Sequence, residues 1–537
     1  MTIRRLQTTN RPPSNIDPDP DPDTDANTLL HHPPAGLPSK NPTASYWLRD
    51  LSPALRGHRS SPHLPREADV VIVGSGVSGA FAGLFLLEGL GGGSGGDGWV
   101  VMFEAREACS GATGRNGGHC QPLVYGSAPE VAAFELEVFE FLERFVKEEG
   151  VDCDWVSLTG VHAFLSKDMF EVAAAEAEQL RQSHPELAAQ LEVVRPVSSE
   201  NGTTLASLRI PSAQGAIVQR KAASLWPYKL VAAVLERLIS KFPAPRFNLQ
   251  TNTPVTSLAR DDSGVGWVVS TPRGAIAARQ VLLATNGYTS HLLPAFADLI
   301  VPVRGQVGAL LPPRSDQSAA PAKLTHSYVF AADPEPGSTS PSSPRDDYLV
   351  QRPLPTGELI YGGGRRFARD LGVGEWRDDE VEEDLAAYLR SSLSPPLDLT
   401  QDELQTKEGP QPPGGRGALK ASFEWTGVMD YSRDHHPWVG PVPETLGGGG
   451  PQGGLFVCAG YTGHGMPAAA LSAREVVRQM VGGDVKARAG RFPAAFALTE
   501  ERVARARELP PLTQGWEATN FAALMAGKGA SGAGKAA

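Results

Sequence analysis

Hydrophobic positions along this chain change period from block to block. Val70, Val71, Ile72 and Val73 form an unbroken apolar run, the pattern of a strand covered on both faces of a parallel sheet. Residues 77–90 follow as a helix rich in Ala, Leu and Phe, and residues 99–103 as a second apolar strand. Over 131–149 the period becomes helical, with Phe134, Leu136, Phe139, Phe141, Leu142 and Phe145 available to a core. Residues 169–191 predict another helix, interrupted before Pro185 because the residue preceding a proline avoids the helical conformation. Helices are also predicted at 225–241, 379–393 and 466–481, and strands at 265–270, 275–284 and 455–459. No fixed-period repeat is present.

Polar segments divide these elements. Residues 1–44 form a leader rich in Pro, Asp and Asn that buries too little apolar surface to order itself. Residues 91–98 are a glycine-rich insertion, 338–345 a Ser/Pro loop, 447–454 a glycine loop, and 525–537 a loose Gly/Ala/Lys tail after a C-terminal helix. The 537 residues suffice for two or more domains, and the net charge of −11 argues against a phosphate-backbone partner such as nucleic acid. No run is long enough to span a bilayer. Cys109, Cys120, Cys153 and Cys458 form neither a CxxC pair nor a disulfide framework, and no clustered metal ligands occur. With no signal peptide, the expectation is a cytoplasmic protein.

The junction between the first strand and helix carries chemistry. Gly74, Ser75, Gly76, Val77, Ser78 and Gly79 place three glycines at the entry of a βαβ unit, the fingerprint of a dinucleotide site. Gly74 allows the tight turn, Gly76 lets backbone approach a pyrophosphate, and Gly79 lets helix and strand pack closely. The helix N-terminus then offers free N–H groups and a positive dipole end. Glu104 ends the second strand and suits ribose hydroxyls; its spacing is normal once the 91–98 insertion is removed. An acid there favours FAD or NAD over NADP.

Four further stretches narrow the choice. They are Ser110-Gly-Ala-Thr-Gly-Arg-Asn-Gly-Gly-His119; Val281-Leu-Leu-Ala-Thr-Asn-Gly-Tyr288 with Pro302-Val-Arg-Gly-Gln306; Glu424 to Asp434 with Pro437-Trp-Val-Gly440; and Cys458-Ala-Gly-Tyr-Thr-Gly-His-Gly-Met-Pro467. In this order, from about Tyr46 to about Gly483, they resemble the D-amino-acid-oxidase-like (glycine/sarcosine oxidase) flavoproteins, with the amine-oxidising, gamma-glutamylputrescine-oxidase-type branch nearest in motif. The resemblance implies an α/β fold: a Rossmann-type FAD-binding domain from 45–128, 215–305 and 422–490, interleaved with an α+β substrate domain from 129–214 and 306–421 on a mostly antiparallel sheet. Residues 491–537 would add the C-terminal helix and tail.

It also implies FAD and assigns residues to it. Besides Gly74 to Gly79 and Glu104, these are Ala105, Arg106, Thr113, Gly114, Arg115, Asn116, Gly117, Gly118, Val255, Ala284, Thr285, Asn286, Gly287, Gly460, Thr462, Gly463, Gly465 and Met466. Arg115 would face phosphates or flavin, or remain a loop arginine. Val255 resembles the residue whose backbone meets the adenine, and the 460–465 turn would aim N–H groups at the flavin pyrimidine.

The implied reaction oxidises a C–N bond of an amine or amino acid to an imine, with O2 as acceptor giving H2O2. His464 is the first candidate beside the ring, with a structural histidine as the alternative. Arg365 supplies charge there, or forms a salt bridge; Arg366 shares both readings. His119 is a second histidine candidate, with local packing as its expected role, while His435 and His436 read as bystanders. Trp226 and Tyr228 either line an amine pocket or belong to the core, and Asp346, Asp347 and Glu358 either attract a cation or are solvated. Departures from the family matter. Pro467 stands where sarcosine oxidase has a carboxylate-binding lysine, Ile360 and Tyr361 stand where it has an oxygen-assisting lysine, and Met429 stands where a cysteine links flavin. The substrate carboxylate and the oxygen acceptor are the inferences these weaken. Two other readings stay open: a flavin dehydrogenase using another acceptor, and a flavin-holding interaction protein in a biosynthetic complex without turnover.

Overall fold

The computed structural model describes residues 32–89, 98–196, 202–262, 264, 266–313, 321–333, 344–399, 418–482 and 491–512. Five strands run parallel in the order Leu455–Ala459, Gly274–Leu283, Glu67–Val73, Val100–Phe103, Phe247–Gln250. Trp438–Pro441 joins antiparallel at one edge, and an antiparallel ribbon of Ser257–Arg260 and Trp267–Thr271 attaches to the first half of Gly274–Leu283. The apolar run at 70–73 is central, which is why it shows no alternation. Its register decides where chemistry sits: Val73 lies opposite both Phe103 and Leu283. The next residues, Gly74, Glu104 and Ala284, therefore emerge together at the carboxyl edge, where open parallel sheets bind ligands.

The helix Val77–Glu88 covers one face, packed on Ala469–Met480 and Pro227–Lys241. It is apolar all round, as a helix buried between sheet and helices should be.

Among the described residues the second sheet has nine strands and eight pairings, of which only Val156–Phe164 with His326–Ala332 is parallel. Its strands alternate faces with period two. Val161, Ala163, Tyr328, Phe330, Leu349 and Tyr361 enter one apolar core, while His162, Val329 and Tyr348 turn to a cavity. Four strands of this sheet, His119–Cys120, Gly215–Ser224, the first half of Ile300–Leu310 and Ala421–Ser432, come from segments expected in the cofactor domain.

Several elements differ from expectation. The 169–191 stretch is a helix only over Lys167–Ser183 and, after Pro185, one turn at Pro185–Ala188; Leu191–Val194 is a strand. The charged helix is Glu383–Ser391, and the helix after the last glycine turn starts at Ala469. Residues 32–44, assigned on sequence to a disordered leader, lie against the body. Ala35 N–H donates to Ser290 Oγ at 2.9 Å, and Thr43 N–H donates to the Asp378 carbonyl at 2.8 Å. Residues 1–31, 91–97, 338–343 and 525–537 lie outside the described residues. Among the described residues no helix is long and apolar enough to cross a membrane.

Candidate active site

A cavity of about 400 Å³ opens at the carboxyl edge of the parallel strands and reaches the second sheet. The glycine fingerprint forms one wall. Gly74 has φ +106, and a Cβ there would run into the Ala284 carbonyl. At Gly79 a Cβ would meet the Gly74 carbonyl carbon at 3.0 Å and penetrate its oxygen. Gly76 is different. Its φ of −69 suits any residue, and the nearest atom to a Cβ is Thr113 Oγ1 at 3.1 Å. The missing side chain at Gly76 therefore leaves room on the cavity side rather than relieving a clash within the fold.

These residues fit a dinucleotide. Glu104 is buried, with Oε2 accepting from Ser75 N–H (3.2 Å) and Oγ (2.6 Å) and Oε1 accepting from Arg106 N–H (3.1 Å). Its carboxylate is thus oriented, with acceptor capacity left for hydroxyl groups. Tyr288 and His291 line the same cavity, and their buried Oη and Nε2 have no protein partner. Buried polar atoms without partners are rare in folded proteins, and here they match a polar ligand.

Most of the residues named for the cofactor line this cavity: Gly74, Ser75, Gly76, Val77, Ser78, Glu104, Ala105, Arg106, Thr113, Arg115, Asn116, Gly117, Val255, Ala284, Thr285, Asn286, Thr462, Gly463, Gly465 and Met466. Gly79, Gly114, Gly118, Gly287 and Gly460 do not. Each sits where a Cβ would strike neighbouring protein: the Gly74 carbonyl, the Cys109 carbonyl, Trp47, the Met429 carbonyl and Trp438 respectively. They are packing glycines.

Arg115 does not reach into the cavity with its charge. The guanidinium is buried against Asp378 (3.0 Å) and the Thr43 carbonyl (2.9 Å). Burial pushes its pKa down to about 10, although Asp378 pulls the other way. Arg106 holds the same carboxylate at 2.9 Å and also donates to the Ser39 and Ser110 carbonyls. Asp378 thus clamps two arginines and, through Thr43, the 32–44 segment. Nothing in the run Glu375-Trp-Arg-Asp-Asp379 marked it in the sequence.

The catalytic candidates both line the cavity. His464 Nε2 lies 3.1 Å from Glu135 Oε2. Burial disfavours its charge, but the Glu135 carboxylate outweighs burial and raises the pKa. Glu135 is itself fixed by the Leu123 N–H at 2.7 Å. Arg365 is buried, with Nη2 3.1 Å from Asp346 and its guanidinium 5.0 Å from the Tyr431 ring. Burial opposes its charge, and Tyr431 and Asp346 more than compensate, raising its pKa. Its Nη1 is buried without a protein acceptor.

His119 is not a packing residue alone: it lines the cavity beside His162, Gln121 and Asp430, three residues that motif reading missed. Asp430 accepts the Gly460 N–H at 2.5 Å, and burial raises its pKa to about 7. Trp226 and Tyr228 belong to the core with Tyr46 and Trp47. His435 and His436 are half-buried near Asp434 and do not line the cavity. Asp347 and Glu358 are buried in the second sheet rather than solvated: Asp347 accepts from the Tyr361 and Tyr388 hydroxyls at 2.7 Å, and Glu358 lies 3.7 Å from Arg49.

Comparison with known proteins follows the same lines. The profile described as "FAD dependent oxidoreductase" (DAO) matches residues 69–479. A protein of Rhizobium meliloti (strain 1021) named "Probable oxidoreductase OrdL" is 23% identical over 452 residues, covering 78% of this chain and 86% of its own length. Glycine oxidase from Geobacillus kaustophilus superposes with a TM-score of 0.59 at 19% identity, over 81% of this chain and 99% of that one. L-amino acid deaminase from Proteus vulgaris does so with 0.57 at 15% identity, over 82% and 96%. At these identities the solved structures show the shared fold.

Proposed function

The chain belongs to the DAO family of FAD-dependent oxidoreductases and takes FAD, and from that premise we propose that it oxidises the C–N bond of an amino acid or related amine to an imine, with dioxygen as acceptor and hydrogen peroxide as second product. When bound, FAD supplies the two-electron acceptor for the hydride leaving the carbon next to nitrogen. Gly74, Gly76 and the first turn of Val77–Glu88 would hold its pyrophosphate, Glu104 its ribose, backbone at Val255 its adenine, and the turn at 463–465 its pyrimidine edge. The protein's task is then to place one carbon and one nitrogen correctly.

Arg365 carries the substrate reading. Asp346 holds its guanidinium in place, the remaining Nη1 is buried without a protein acceptor, and the residue lines the same cavity. A substrate carboxylate is the chemical complement of such a group. It replaces the lysine whose position Pro467 occupies. His464, whose pKa the Glu135 carboxylate raises, is paired with that carboxylate in the same wall.

Anaerobic titration of the purified yellow protein with amino acids, N-methyl amino acids and polyamines tests this. Carboxylate-bearing amines should bleach the flavin band, and admitting air should restore it with stoichiometric peroxide. Failure of every amine to bleach it refutes the amine reading. The dehydrogenase reading draws support from Ile360 and Tyr361, buried at the place of the oxygen-assisting lysine. Restoration over minutes without peroxide would favour it.

A further inference from the structure

His119, His162 and His464 share one part of the cavity wall, and a chain of hydrogen bonds behind them fixes where protons sit. The chain starts at Gln219, fully buried, whose Oε1 accepts the Val124 N–H at 2.9 Å. Its amide nitrogen is therefore the end that meets His162 Nε2, at 3.3 Å. An amide NH2 only donates, so His162 Nε2 accepts. The Gln121 amide nitrogen donates to the same atom. The one proton of neutral His162 then lies on Nδ1, which donates to Tyr125 Oη at 2.5 Å. Burial keeps this ring neutral, with its pKa pushed down to about 3.

The other end of Gln121 completes the argument. Its Oε1 accepts the Ser327 hydroxyl proton at 3.3 Å. With that proton used, Ser327 Oγ can only accept from His119 Nε2, 2.9 Å away. His119 is thereby held with its proton on Nε2 and a lone pair on Nδ1. Among the described residues no donor has hydrogen-bond geometry to Nδ1, nor is Nδ1 among the sealed, unpartnered atoms; the ring lines the cavity. Burial and the nearby His464 push its pKa down to about 4, so it stays a neutral acceptor. Gly160 makes room for this arrangement, since a Cβ there would meet the Gln121 amide.

Taking amine oxidation as the activity, we propose that His119 Nδ1 accepts the N–H of an uncharged primary or secondary amine, so that the site takes primary and secondary but not tertiary amino acids. A neutral tertiary amine has no N–H to give. Ser327, Gln121 and His162 act as positioning residues that hold the His119 tautomer.

The test uses the flavin-loaded protein with glycine, N-methylglycine and N,N-dimethylglycine as probes, together with ¹⁵N NMR of histidine-labelled protein to read the His119 tautomer. Flavin reduction should be at least about tenfold slower with the dimethyl compound than with the monomethyl one, the worth of one hydrogen bond. His119→Phe should reduce that preference to about twofold or less with flavin content unchanged, while His119→Asn, whose Oδ1 replaces Nδ1, should keep it. Ser327→Ala should move proton density onto Nδ1 in the NMR spectrum and weaken the preference. If none of the three reduces the flavin, the same series is run on the amine that bleaches it fastest in the anaerobic panel and on that amine's N-methyl and N,N-dimethyl forms; failure of the whole panel overturns the amine reading, and this proposal with it. Equal reduction by all three in the parent, or a His119 protonated on Nδ1, overturns this proposal alone.

Discussion

Gly76→Val separates a glycine that serves a ligand from one that serves the fold. The backbone at Gly76 is already in a region open to any residue, with φ −69 and ψ −172. A Cβ would press on Thr113 Oγ1 at 3.1 Å, a hydroxyl that can yield a few tenths of an ångström. Such overpacking costs about 1 kcal/mol, so the protein should fold. The cavity pays instead. Three added carbons would stand where the pyrophosphate must approach the first-turn N–H groups. Losing two charge-assisted hydrogen bonds, at about 1.5–3 kcal/mol each, predicts FAD binding weaker by at least about 100-fold. The assay is FAD titration into deflavinated protein by fluorescence, with thermal melting as the folding control. A variant that melts like the parent and binds FAD within about threefold would refute the assignment. Gly79→Ala should do the opposite. Its single methyl would penetrate the Gly74 carbonyl oxygen, so the folded protein itself should be lost or melt well below the parent.

Three further outcomes are expected. Arg365→Ala should raise KM for a carboxylate-bearing amine by about tenfold or more while leaving an amine without a carboxylate little changed; equal effects on both would remove Arg365 from carboxylate binding. Asp430 holds its proton in the folded state up to about pH 7, above the unfolded carboxyl value, so its contribution to stability is present at low pH and is lost as pH rises from about 4 through 7. Asp430→Asn keeps an acceptor for the Gly460 N–H and should remove that loss, worth about 4 kcal/mol at most; identical pH dependence of the denaturation midpoints would contradict it. Leu37 and Pro38, in the 32–44 segment, line the cavity, so Leu37→Ser should speed FAD release several-fold, and an unchanged release rate would show that the segment does not cover the cofactor.

What could be read from the sequence depended on whether the information was local. Gly74, Gly76 and Glu104 were legible because a contiguous strand–turn–helix dictates their roles. The register of Val73 with Phe103 and Leu283 then brings Glu104 and Ala284 alongside without any further signal. The 32–44 segment was not legible, since polar contacts to Ser290, Asp378 and Thr426 hold it rather than an apolar stripe, and hydropathy cannot register them. Nor could the glycines be sorted. Gly76 and Gly79 read alike until their surroundings show that one faces a cavity and the other a carbonyl.

The histidine wall shows a third kind of illegibility, and where a faint signal lay. Glu135 meets His464 across 329 positions and Ser327 meets His119 across 208, pairings that only the assembled sheet determines. Yet His162 stands in Gly160-Val-His-Ala-Phe164, a strand whose odd positions enter an apolar core. Period-two alternation puts His162 on the opposite face, where it is buried. A histidine there needs partners for both nitrogens. Five residues from four separated segments, Gln121, Tyr125, His162, Gln219 and Ser327, meet that requirement together. Such a network constrains proton positions more tightly than packing demands, and it ends at the cavity, on His119.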